Sequence, residues 1–145
     1  MNWKKEAEND LRNYARRVTS LEATKEKIKA LTDQMQAIKS GLSDSTPVIG
    51  SGDKSQENMI NCIAEIERLQ FTQKATERLV AMVEKGLESL SEGEYKVLDL
   101  FYIHRERGHV EKLSEMLHLE QAQIYRIKDA ALYKFTVSIY GIIDY

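Results

Sequence analysis

The chain has 145 residues, 30% of them charged, with a net charge of −2. A single proline, Pro47, and seven glycines favour long helices and argue against a β-sandwich or a disordered chain. One cysteine, Cys62, excludes an internal disulfide, and no apolar run approaches the roughly 20 residues that span a bilayer.

The first turn, Met-Asn-Trp-Lys-Lys-Glu, lacks the apolar core of a signal peptide, so a cytoplasmic protein is expected. From Trp3 to Leu42 no helix breaker intervenes. Apolar residues fall at Ala7, Leu11, Tyr14, Val18, Leu21, Ile28, Leu31, Met35, Ile38 and Leu42. Alternating spacings of three and four make a coiled-coil-like seam, interrupted at Thr24 and Lys25. Over that length a helix extends on the order of 60 Å.

Ser43 to Gly52 holds Pro47, Gly50 and Gly52, and is read as a chain reversal or hinge. Asp53 and Gln56 form a capping-box pattern that opens a second helix. Its seam is Met59, Cys62, Ile63, Ile66, Leu69, Val80, Val83, Leu87 and Leu90, weakened in the middle by Gln73 and Thr76. Two seams of similar length joined by one short loop predict an antiparallel helical hairpin over residues 1–90, with the loop at about 43–52. An apolar edge left over on such a hairpin leaves room for a homodimer through it. Gly86 either ends the second helix or weakens it.

Ser91-Glu92-Gly93-Glu94 is a second capping box, starting a helix from Glu92 to about Arg105. Tyr95, Val97, Leu98, Leu100, Phe101, Tyr102 and Ile103 make this helix apolar on nearly every side, so neighbours must bury it. His104 to His109, with Gly108, reads as a turn.

Val110 to Ile127 carries the pattern of a helix-turn-helix. Leu113 and Leu117 lie one turn apart on the first helix, Leu119 plugs the turn, and Ile124 and Ile127 line the inner face of the second. Ser114 is small where the helices cross. Two positions depart from the usual pattern. His118 stands where a positive φ favours glycine, and Glu120 takes the N-cap place that suits Ser or Thr better.

The second helix should run from Glu120 to about Tyr140, with Gly141 as its cap. At about 100° per residue, its outward face carries Ala122, Arg126, Asp129 and Tyr133, flanked by Gln121 and Tyr125. In the usual docking the first turns of such a helix enter the major groove. Arg126 would then pair with guanine and Gln121 with adenine, while Tyr125 meets a thymine methyl or a phosphate. Arg105, Arg107, Lys112 and Lys128 are the candidate phosphate contacts. The competing reading is an ordinary solvated helix face. Residues 91–145 hold seven basic against nine acidic residues, so any DNA contact is a small basic patch on an acidic body.

The stretch Leu90-Ser-Glu-Gly-Glu-Tyr-Lys-Val-Leu-Asp-Leu-Phe-Tyr-Ile103 resembles the opening helix of sigma-factor region 4. Lys112 to Phe135 resembles the remainder, including the Ala-Leu-x-Lys-hydrophobic signature at Ala131 to Phe135. The resemblance implies base-contacting positions at Gln121, Ala122, Tyr125 and Arg126. The residues at the first two differ from the charged groups usual in that family, so its promoter sequence does not carry over. The whole chain is also similar to small phage-encoded transcription regulators of the ArpU/RinA kind. That likeness implies regulation of phage or prophage genes in a bacterial host, with duplex DNA and the host RNA polymerase as partners.

Gly50-Ser-Gly-Asp-Lys-Ser55 lacks the ending of a phosphate-binding loop, and no strand precedes it. Cys62 and His104, His109 and His118 lack zinc-ligand spacing. No nucleophile–base constellation stands out, so neither a metal, a cofactor nor an enzymatic activity is expected. The expected fold is therefore all-α, a long antiparallel hairpin followed by a region-4-like helix-turn-helix domain at residues 91–145. The expected function is sequence-specific DNA-binding regulation; the alternative is a helical module that binds a protein partner without reading DNA.

Overall fold

A computed structural model describes residues 1–44 and 52–141, with side chains at 1–41 and 54–141. Residues 45–51 of the expected reversal loop, the side chain of Asp53 and the tail from Ile142 onward lie outside the described residues, while 43–44 and 52 are helical. The described chain is all-helical, as its composition requires. α1 spans Trp3–Asp44, α2 Gly52–Glu88, α3 Glu92–Leu98, α4 His109–Leu117 and α5 Gln121–Tyr140. A π-helical turn, Asp99–Ile103, continues α3 directly.

Two compact units account for these helices, and both α1 and α2 contribute to each. One unit comprises Met1–Val18 and Arg78–Tyr145, the other Thr19–Glu77. The grouping cuts across the boundary expected at residue 90. Its physical reason is the core of the first unit, where Ala7, Leu11 and Val83 share one cluster with Val97, Leu98, Leu113, Ile124, Ala131, Leu132 and Phe135. All ten are fully buried. The ends of the long helices are thus part of the same core as α3–α5.

Among the described residues of the second unit, Cys62 and Leu69 are buried apolar side chains, with Leu21, Ile28, Leu31, Met35, Ile38, Met59 and Ile66 half-buried. Each of its two helical stretches therefore shelters one seam. Thr24, at the interruption expected in the first seam, is buried and donates its hydroxyl to the Ser20 carbonyl at 2.9 Å. That back-bond satisfies the hydroxyl inside the helix.

In the first unit α3 begins on the expected capping box. Ser91 Oγ accepts from the Glu94 amide at 3.2 Å, and Glu94 Oε1 accepts from the Ser91 amide at 3.1 Å. Lys134 of α5 reaches the same carboxylate at 3.0 Å. Partial burial raises the Glu94 pKa, but the Ser91 amide and Lys134 outweigh it and hold the carboxyl below its ordinary range. The helical run that follows reaches Ile103, close to the expected end, but it is not α-helical throughout. It widens at Asp99, where the His104 amide donates to the Asp99 carbonyl at 2.7 Å, five residues back. The wider turn buries five consecutive residues, Asp99 to Ile103.

Gly86 does not end α2, which runs on to Glu88. It is buried two residues before the helix terminus, and a Cβ there would stand 2.6 Å from Ile139 Cγ2 and 2.7 Å from the Phe135 ring. The missing side chain lets α5 pack directly on the α2 backbone.

Candidate nucleic-acid interface

The candidate site is built on α4, the turn after it and the first turns of α5, all in one unit. α4 starts after Gly108, whose φ of 70° makes the left-handed turn. It ends at His118, which has φ 56° and ψ 44°. The backbone requirement anticipated at this position is thus met by a histidine in the left-handed region. The Leu119 amide donates to the Ser114 carbonyl at 3.1 Å, the 6→1 bond of a Schellman helix end.

Ser114 does more than leave room. Its hydroxyl donates to the Leu119 carbonyl, so one residue ties both polar groups of Leu119 to α4. Leu113 and Ile124 are fully buried, and Leu117, Leu119 and Ile127 pack against the same cluster. Interior and turn residues together fix how α5 leaves α4.

α5 begins at Gln121 after an extended Glu120, whose side chain makes no capping hydrogen bond. Its carbonyl instead accepts from the Gln123 amide at 3.0 Å and the Ile124 amide at 3.1 Å. A glutamate is one methylene too long for the usual cap geometry, and the helix starts on backbone bonds alone.

Gln121, Ala122, Tyr125 and Arg126 are all exposed and share the outer side of the first two turns of α5. Arg126 Nη1 lies 3.4 Å from Gln123 Oε1, a weak bond that leaves the guanidinium on the surface. Tyr125 has 47% of its surface exposed and sets its ring edge-on to Phe101, with centroids 5.8 Å apart. Phe101 in turn makes an edge contact with His109 at 4.5 Å. Tyr125 is therefore oriented by a ring from the π-helical turn.

The four cations differ in their surroundings. Arg105 and Arg107 are exposed in the turn between α3 and α4. Lys112 Nζ is 2.7 Å from Glu106, and this contact lowers the Glu106 pKa. Lys128 is half-buried; its ammonium lies 3.0 Å from Asp129 and 5.7 Å above the Phe101 ring. A second ring, Tyr125, stands 6.0 Å from it. Lys128 thus extends over an aromatic shelf.

Neither family models, curated proteins nor solved structures match this chain.

Three members of the cluster escaped sequence reasoning: Phe101, His109 and Gln123. Gln123 was legible in principle, three residues before Arg126 on one helix. Phe101 and His109 reach the site only through tertiary packing. Among the described residues no group of His, Cys, Asp or Glu side chains could hold a metal ion. No described helix is long and apolar enough to cross a membrane.

Proposed function

We propose that α4, its turn and α5 form a helix-turn-helix that reads duplex DNA, and that the chain is a sequence-specific transcription regulator. The observation that carries this reading is the coincidence of two sets on α5. Ile124, Ile127 and Ala131 face the core, while Gln121, Ala122, Tyr125 and Arg126 are exposed on the outward side, where Asp129 follows about one turn on. Arg126 would read guanine and Gln121 adenine, with Ala122 and Tyr125 against apolar edges of the bases. Arg105, Arg107, Lys112 and Lys128 would contact phosphates and set the register. The likeness to sigma-factor region 4 and to small phage regulators supports control of phage or prophage genes and a contact with bacterial RNA polymerase. The seams of α1 and α2 support an antiparallel hairpin that joins two copies.

The rival reading is an adaptor that binds a protein partner. It is favoured by the ion pairs Lys112–Glu106 and Lys128–Asp129, which spend two of the four candidate phosphate contacts inside the chain. Selection of bound duplexes from a random library at low salt separates the two. Enrichment of one motif is expected. Arg126→Ala should then weaken binding to that motif by about 10- to 100-fold and relax preference at one base pair. Absence of any enriched motif, or an unchanged preference in Arg126→Ala, would move the function to the adaptor.

A further inference from the structure

α2 has a second seam that the first does not explain. Within the Thr19–Glu77 unit, Ile60 is 65% exposed and Phe71 77% exposed. Single exposed apolar residues are common on protein surfaces, but these two share one exposed face of α2. Glu57, Ile60, Ala64, Glu67, Phe71 and Lys74 follow one another at spacings of three and four, and all are exposed. At about 100° per residue they fall within an arc of about 100°. The buried Cys62 and Leu69 lie on the opposite side of the helix.

We propose that this face of α2 pairs with the same face of a second copy of the chain, antiparallel, about a two-fold axis between Ala64 and Glu67. The inference rests on the dimer reading above and names its surface and register. Charge decides the direction. A parallel, in-register pair would set Glu57 on Glu57, Glu67 on Glu67 and Lys74 on Lys74, three like-charge layers. The antiparallel register sets Glu57 opposite the partner's Lys74 at both ends. Ile60 then meets the partner's Phe71, again twice by symmetry, and small Ala64 lies beneath the partner's Glu67 stem. Such an isologous contact is self-complementary: each residue of a pair appears once from each chain. Glu67 in the central layer keeps the seam polar in the middle, which suits a dimer that exchanges.

The test is the mass of the full chain by sedimentation equilibrium at about 1 to 100 micromolar, with helicity checked by circular dichroism. Dimers are expected for the natural sequence. Phe71→Lys, at a site that touches solvent, should leave helicity unchanged and yield monomers throughout this range. Glu57→Lys and Lys74→Glu should each weaken the dimer about tenfold by opposing like charges. The double variant, Glu57→Lys with Lys74→Glu, should restore it to within about threefold. A natural chain that stays monomeric would overturn both the dimer and this face. A dimer that survives Phe71→Lys would keep the dimer and overturn the face. Failure of the double exchange to restore association would overturn the antiparallel register.

Discussion

His118 is the non-glycine residue with positive φ among the described residues, and it is exposed, so its side chain contributes little that glycine would lose. A β-carbon in this region crowds the following carbonyl, a cost of about 1–2 kcal/mol for an L-residue. Glycine removes that cost but brings a larger entropy loss on folding, offsetting part of the gain. His118→Gly should therefore stabilise the protein by about 0.5–1 kcal/mol, measured by urea unfolding. A loss of stability would mean that the imidazole itself supports the turn. Ser114 shows the same point from the other side. A small residue was required at the helix crossing, but only the folded turn shows why a hydroxyl suits it: the Leu119 carbonyl is within reach.

At the scale of elements, α2, α3 and α5 depend on one another through features that helical periodicity does not contain. The π-helical turn inserts a residue into the repeat, so Phe101 and Tyr102 are both buried although they are sequence neighbours. Asp99 is carried inward with them. Its carboxylate is kept satisfied by His104 Nδ1 at 2.6 Å, with Lys96 at 3.9 Å. Gly86 is the corresponding device on α2. Alanine there would gain about 1 kcal/mol in helix propensity but would press into Phe135, which is fully buried and has no room to swing. Overpacking costs about 1–3 kcal/mol, so Gly86→Ala should destabilise by up to about 2 kcal/mol net. A clearly stabilised Gly86→Ala protein in thermal unfolding would show that α5 is not seated on this glycine.

For the molecule as a whole, charge is nearly balanced and the polar groups that matter are few. Two phenols hold the ends of the long helices into the first unit. Tyr14 donates to Glu84 at 3.0 Å, linking α1 and α2. Tyr140 donates to Asp10, which also accepts from Arg17 at 3.1 Å, linking α5 to α1. Trp3 stacks obliquely on the same Tyr140 with centroids 4.9 Å apart. Burial, then the hydrogen bond to Glu84, pushes the Tyr14 pKa up to about 12. Burial and Asp10 raise that of Tyr140 well above its ordinary value. In the unfolded chain both titrate near 10. A raised folded pKa means that the stabilisation is complete below pH about 10 and is lost as pH rises through the folded values. Urea midpoints should therefore be level between about pH 8 and 9 and fall above about pH 10, and the fall should be shallower in Tyr14→Phe. An identical alkaline decline in that variant would exclude the Tyr14–Glu84 link as its source.

Much of this protein is determined by short-range chemistry and is therefore present in its sequence. Helices follow from the scarcity of glycine and proline, the α3 start from a serine and a glutamate three apart, and the α4 end from Leu-His-Leu around a left-handed turn. The solvent side of α5 is readable because helical geometry places Gln121, Ala122, Tyr125 and Arg126 outward once Ile124 and Ile127 face in. What only the tertiary structure decided are the relations between residues far apart in the chain. A seam shows that a helix buries one side, but not which neighbour it meets; hence the ends of α1 and α2 share a core with α3–α5, across the boundary drawn at residue 90. The aromatic shelf under Tyr125 and Lys128, the role of Gly86 and the widening at Asp99 belong to the same class. Each arises where packing against a distant element outweighs the local preference of the backbone, and local preference is what a sequence records.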